Sequence, residues 1–323
     1  MLSSAPSADT GPEYGTASGA EPVVAVFESE RPLDMTMTVS GLRRGKGDPT
    51  FERDFAGNVW RTSRLPSGTV TYRLTQESRH AVRCHAWGRG AAEFTSMLPA
   101  FLGSEDDPSG FAPEHPTLVE AHRQFPHLRL GRTGLVMEAL VPAVLEQRVH
   151  GVSAFASWRL LVTKFGERAP GPTPRPMFVP PLPEVWRRIP SWEYHRANVD
   201  PARSKTIVRC AMAAGRLEEA ATMAPADALR RLRAVPGVGI WTAAEVAQRA
   251  FGDADALSVG DYHLAAVVGW SLLGRPLDDD GMIEYLEPLA PHRHRAVRLL
   301  QVSGKAIKPK FGPRTPLVDH TWH

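Results

Sequence analysis

The sequence predicts an α+β protein, a small antiparallel β-sheet N-terminal domain followed by an all-α domain. Three observations carry this reading. Apolar and polar residues alternate with period two between about 22 and 105, they recur at three- and four-residue spacing beyond about 117, and a breaker-rich stretch divides the two regimes. A chain of 323 residues suits about two domains of this kind, and 42% apolar with 23% charged residues is an ordinary globular composition.

The elements follow in order. Residues 1–21 are small, polar and rich in Gly, Pro and Ser, and are expected to be disordered. In the β-rich domain, 22–105, Val70, Tyr72 and Leu74 alternate with threonines and Arg73, and Val82, Cys84 and Ala86 alternate with Arg83 and His85. Each run reads as a strand with one buried face, with turn signals at 65–68 and 88–90. A helix over 91–102 presents Phe94, Met97, Leu98 and Phe101 on one side and stops at Gly103. The linker occupies 106–116. The helical domain, 117–305, is expected to hold helices over 135–149, 152–165, 183–188, 201–214, 225–234, 241–251, 262–273, 279–290 and 293–303, with a Pro-rich crossing at 170–183. Several begin with Pro in the first turn or with Ser or Asp just before it. Pro142 should kink the first of them or lie at a turn. A basic tail, 306–323, closes the chain. Trp158, Trp186 and Trp192 are expected in core or interdomain contacts.

Composition excludes several classes. Two cysteines, Cys84 and Cys210, cannot build a disulfide scaffold, a four-thiolate cluster or a cysteine zinc site. No run approaches the ~18 apolar residues of a membrane span. The N-terminus has no basic and apolar leader pattern, so a reducing, cytoplasmic setting is expected. The net charge is only +3, but Arg293, Arg295, Arg298, Lys305, Lys308, Lys310 and Arg314 fall in a stretch, 288–318, without an acidic residue. Such a stretch attracts polyanions, nucleic acid above all; a solvated basic surface fits it equally. His292, His294, Asp319 and His320 are weak candidates for a metal site, and Asp278, Asp279 and Asp280 read as a helix start rather than a magnesium site.

One segment carries chemistry. Residues 232–243 read Leu-Arg-Ala-Val-Pro-Gly-Val-Gly-Ile-Trp-Thr-Ala, a helix end, a hairpin at 236–239 and a new helix near Trp241. Gly237 and Gly239 let the chain turn with positive φ and let another molecule approach main-chain N–H groups, and the following helix adds its positive end. That geometry suits a DNA phosphate, although an ordinary αα-turn with a glycine cap would show the same residues. Further on, Asp261 stands at the start of an apolar helix. It reads as an N-cap, as a carboxylate kept ionised beside a cleft, or as both.

The stretch 232–264 resembles the helix-hairpin-helix (HhH-GPD) DNA glycosylase superfamily, and specifically the DNA-3-methyladenine glycosylase II family. The likeness extends to 111–116, 129–134 and 137–149, with Gln147 at the family's recurrent glutamine, and to 292–300 as the closing helix. The resemblance implies an all-α helix-hairpin-helix glycosylase domain behind a small sheet domain. It also implies a monofunctional enzyme that flips alkylated purines of the 3-methyladenine and 7-methylguanine type out of double-stranded DNA and hydrolyses the N-glycosidic bond. Asp261 would stabilise the developing oxocarbenium charge, or position the water. Where bifunctional relatives carry a Schiff-base lysine this chain has Trp241, so no lyase activity is expected. Trp241 and Tyr262 would stack on the cationic base, with Gln147, Glu245 and Gln301 completing its pocket. Gly237, Val238, Gly239 and Thr242 would contact the DNA backbone, and Arg148 would fill the gap left by the flipped base. The main-chain carbonyls of Arg233, Val235 and Val238 match the family's sodium or potassium site; no other cofactor is implied. Glu245 and Gln301 replace aromatic residues of the family, which keeps a glycosylase for oxidised or deaminated bases open. A non-catalytic damage-binding protein is the other alternative. A monomer is expected, bacterial and nucleoid-associated through DNA.

Overall fold

The computed structural model describes residues 21–308 and Asp319. Apart from Glu21, the head expected over 1–21 lies outside the described residues, as do Lys310, Arg314 and His320. The sheet domain comprises β1 (Val23–Glu28), a short α1 (Met35–Val39), β2 (Phe51–Arg53), β3 (Val59–Leu65), β4 (Gly68–Ser78), β5 (Ala81–Trp87) and α2 (Ala91–Phe101). Its strands are all antiparallel, in the order β1-β5-β4-β3-β2. The period-two reading holds: Val70, Tyr72, Leu74, Val82, Cys84 and Ala86 are fully buried. The apolar face of α2 covers them, with Phe94 stacked on Tyr72.

The helical part contains α3 (Pro116–Gln124), α4 (Val136–Leu145), α5 (Gly151–Phe165), a two-residue hairpin of β6 (Glu167–Arg168) and β7 (Phe178–Val179), α6 (Pro183–Arg188), α7 (Ser191–Arg196) and α8 (Pro201–Met212). Then come α9 (Ala214–Glu218), α10 (Pro225–Arg233), α11 (Ile240–Val246), α12 (Leu264–Leu273), α13 (Asp279–Leu286) and α14 (Arg293–Val302). Every residue of α4 except Glu138 is buried, as befits a helix apolar on all sides. Its first turn is capped from a distance: Glu218 accepts hydrogen bonds from the Val136 and Met137 N–H groups, both at 2.8 Å. Pro142 lies within α4, so the helix is neither ended nor turned there; the chain leaves the helix at Glu146 instead.

Three cores meet in the molecule. One fills the sheet domain, a second groups α4 to α11, and a third joins Phe111, α3 and Leu128 to α12, α13 and α14. The segment 106–116 is therefore no free linker. Phe111 is buried in the third core, and Asp106, also buried, pairs with Arg295 of α14. Residues 128–134 pass between the cores, where Arg129 donates to the Pro32 carbonyl and Ser29 Oγ. The Pro-rich crossing packs on the sheet through Met177, buried against Trp60 and Trp87, and its Phe178 carbonyl accepts from Thr62 Oγ1 of β3 at 2.6 Å. Trp158 and Trp186 are buried and stacked, as expected, whereas Trp192 is 63% exposed and belongs to no core. Among the described residues no helix is long and apolar enough to cross a membrane.

Candidate active site

The hairpin runs from α10 to α11 as the sequence indicates, but its two glycines serve different purposes. Gly237 has φ 99°, and a Cβ there would run into the Thr206 side chain of α8. Gly239 has an extended backbone, not the positive φ expected, and a Cβ there would meet nothing within 4 Å. Its bareness leaves the entrance to α11 open. Val238 drives its side chain into the second core and is 5% exposed. Gln147 locks the turn after α4 to the hairpin, its Nε2 donating to the Gly237 carbonyl at 3.0 Å and to Thr242 Oγ1 at 2.8 Å. Thr242, 2% exposed and occupied by Gln147, is thus placed to brace the hairpin rather than to touch a phosphate. Arg148 is exposed with φ 53°, on the turn beyond α4 and not on a helix.

Around this hairpin Arg148, Lys205, Arg209 and Arg233 are exposed. None of the four pairs with a carboxylate among the described residues. Arg209 reaches the Pro236 carbonyl at 3.4 Å, and Lys205 lies one turn earlier on the same face of α8.

Asp261 lies at the wall of a cavity of about 540 Å³ where the three cores meet. It is half-buried, and both carboxylate oxygens are aimed. Oδ1 accepts from the N–H groups of His263 at 2.9 Å and Leu264 at 3.0 Å, capping α12. Oδ2 accepts from Trp241 Nε1 at 3.2 Å. The loop carrying it is held from behind by Asp279, whose Oδ2 accepts from the Gly260 N–H at 3.1 Å. One side chain therefore links the hairpin helix, the next helix and the cavity.

The cavity wall is half polar and half apolar, with Phe101, Leu257, Leu264 and Val297 among its apolar residues. From α11 and the π-helical turn that follows it come Glu245, Gln248 and Arg249; Ser258 and His263 flank Asp261; α14 supplies His294, Arg298 and Gln301. Glu245 is fixed by Arg249 at 2.7 Å and by Ser258 Oγ at 2.5 Å. Burial opposes its charge, but Arg249, Ser258 and Arg44 overcome that and hold its carboxyl below the ordinary range. Burial likewise opposes the charge on Arg249, and Glu245 and Glu146 raise its pKa nonetheless. The π-turn explains how the cavity floor is anchored. It frees the Arg249 and Ala250 carbonyls, which accept from Thr133 and Gly134 N–H at 3.0 and 2.9 Å.

Three expected pocket residues do not line this cavity. Trp241 stands beside it and is engaged through its N–H with Asp261; Tyr262 is 74% exposed, edge-on to His263; and Gln147 is engaged with the hairpin. Glu245 and Gln301 do line it. The sequence reading did not name Arg249, Ser258, His294 or Arg298 as pocket residues. The one signal for the last two was their spacing of four residues on a helix, which puts them on one face.

No protein-family model matches this chain, and no curated protein matches it in sequence. Solved structures do. A 3-methyladenine DNA glycosylase from Archaeoglobus fulgidus superposes with a TM-score of 0.73 at 16% identity, covering 87% of this chain and 98% of the other. It has the helix-hairpin-helix DNA glycosylase fold. MBOgg1, solved in complex with a low affinity DNA ligand, matches this fold with a TM-score of 0.69 at 15% identity over 91% of this chain and 99% of its own. The 8-oxoguanine glycosylase/lyase of Clostridium acetobutylicum, solved with double-stranded DNA, gives 0.64 at 12% identity over 87% and 98%. The glycosylase fold accounts for the sheet domain as well as the helical part, since nearly the whole of each of these chains is covered.

Proposed function

We propose that this chain is a hydrolytic DNA glycosylase, with Asp261 as its catalytic carboxylate. The observation that carries the reading is the placement of Asp261. It is partly exposed at the wall of a cavity large enough for a nucleobase, oriented by three N–H donors and joined through Trp241 to the hairpin. A carboxylate so oriented can face the cation that develops on a sugar as its base departs, and can take a proton from the attacking water. The exposed main chain at Gly237 and Gly239, with Arg148, Lys205, Arg209 and Arg233 around it, would hold the backbone of damaged double-stranded DNA. Where it binds the chromosome in a bacterial cell, the protein would act as a monomer. The carbonyls of Arg233, Val235 and Val238 would hold sodium or potassium beneath the hairpin. That of Val235 already accepts from the Val238 N–H at 3.0 Å, which leaves it one lone pair for the cation.

Trp241 at the lysine position argues for hydrolysis without strand cleavage. Alkylated purines of the 3-methyladenine and 7-methylguanine type are the substrates that the resemblance implies. A second reading, oxidised or deaminated bases, is favoured by a specific observation: Trp241 and Tyr262 stand outside the cavity, and among the lining residues Phe101 is the one carbocyclic ring. The test is incubation with duplexes carrying single alkylated, oxidised or deaminated bases. Abasic sites that break only in hot alkali, with no borohydride-trapped adduct, are expected. A trapped adduct contradicts hydrolysis, and binding without any abasic product contradicts the glycosylase.

A further inference from the structure

Of the five described basic residues in the stretch that looked unmatched in the sequence, three are matched in the fold. Arg293 pairs with Asp255 and Glu287, Arg295 with Asp106, and Lys305 with Glu120. Arg298 and Lys308 are the exceptions, and both line the cavity; Arg298 is the one that belongs to a helix. Its guanidinium donates to Gln301 Oε1 at 2.8 Å and to Ser40 Oγ at 3.4 Å, and no carboxylate of the described residues lies within ion-pair distance. Glu245 is directed to Arg249 and Ser258 instead and makes no ion pair with Arg298. One turn earlier, His294 lines the same cavity at 7% exposure, and its ring makes no hydrogen bond to any described residue. Half-buried Arg298, which has no carboxylate partner, and buried His294, which lacks the hydrogen bond that burial ordinarily demands, thus share one face of α14.

We infer that Arg298 and His294 form the base-reading edge of the cavity and select a neutral base bearing carbonyl oxygens, oxidised or deaminated, over a cationic alkylpurine. The inference rests on the glycosylase reading above and names its substrate class. The guanidinium supplies N–H donors to a carbonyl oxygen, and the imidazole supplies one donor or one acceptor to the adjacent ring position. A base that carries its own positive charge meets an Arg298 that no carboxylate pairs. Arg129, Arg249, Arg298 and Lys308 stand in the wall against Glu245 and Asp261 alone. Stacking, which would compensate a cationic base, has little aromatic surface to draw on there.

The test is single-turnover base release from duplexes containing hypoxanthine, uracil or 8-oxoguanine, and from methylated DNA carrying 3-methyladenine and 7-methylguanine, with wild type, Arg298→Ala, Arg298→Gln and Arg298→Lys. Wild type should release at least one carbonyl-bearing base faster than the methylpurines, and which one separates deamination from oxidation. Arg298→Ala and Arg298→Gln should slow that release about 10- to 100-fold while leaving methylpurine release unchanged or raised, with Arg298→Lys between them. Faster methylpurine release by wild type overturns the inference and leaves the glycosylase reading standing. Equal loss on every substrate in both neutral variants makes Arg298 structural and also overturns it. No release from any duplex overturns the glycosylase reading and this inference together.

Discussion

Asp261 caps a helix and at the same time faces a cavity. The position that satisfies two orphan N–H groups of α12 also fixes the carboxylate at the cavity wall, so the cap that stabilises the helix sets the orientation on which the proposed chemistry depends. Asp before an apolar helix was legible in the sequence. Its second partner was not, because the Trp241 indole comes from a different helix and no local pattern announces that contact. Replacing Trp241 with Phe keeps the ring and removes the N–H, so it should lower base release about tenfold while duplex binding stays within twofold, as single-turnover rates and fluorescence anisotropy would show. His294 makes a pH prediction. Burial first, then the charges of Arg298, Arg249 and Arg295, hold its pKa well below the ordinary imidazole range. The unfolded chain therefore takes up a proton that the folded chain refuses, and stability falls as pH drops below about 6.5. Urea midpoints at pH 7.5 and 5.5 should differ more for wild type than for His294→Gln.

The hairpin divides its work between two glycines that look equivalent in sequence. Gly237→Ala must adopt a positive φ and displace Thr206, so it should destabilise the protein by more than about 1 kcal/mol. Gly239→Ala has space and ordinary backbone angles, so its thermal midpoint should stay near wild type while its Cβ obstructs the approach of a phosphate and weakens duplex binding several-fold. Denaturation and binding measured on both variants separate the two roles. Helices with a boundary signal were legible: proline marks the first turn of α6, α8 and α10, and glycine ends α12. Other short ones were not. Neither α7 nor α9 reaches the length at which periodicity can be read, and α4 gave a pattern four residues too long because Val149 also packs against the core after the helix has ended. The π-turn behind α11 had no signal, since it is imposed by the Thr133 and Gly134 N–H groups that its carbonyls receive.

At the scale of the whole molecule, the cavity exists because three cores are fastened together around it. The breaker-rich 106–116 read as a linker because nothing local shows that Asp106 meets Arg295 across the chain. Both side chains are 2% exposed, and Arg295→Met should cost about 3 kcal/mol by leaving Asp106 buried beside Arg31 alone, measurable as a lowered denaturation midpoint. The same long-range matching pairs Arg293, Arg295 and Lys305 and leaves Arg298 and Lys308 at the cavity, a division among the described residues that charge counted along the sequence does not show. Fold class and domain order were legible, because period and composition change where the domains change. The lining of the cavity was not, because it is assembled from segments far apart in the chain, among them α2, residues 129–133, α11, α12 and α14, each contributing between one and four residues. The most direct measurement of the central claim is single-turnover base release by Asp261→Asn on whichever damaged duplex wild type cleaves, paired with its affinity for the same duplex. The account predicts unchanged affinity and a rate at least a hundredfold lower; base release at the wild-type rate would contradict it.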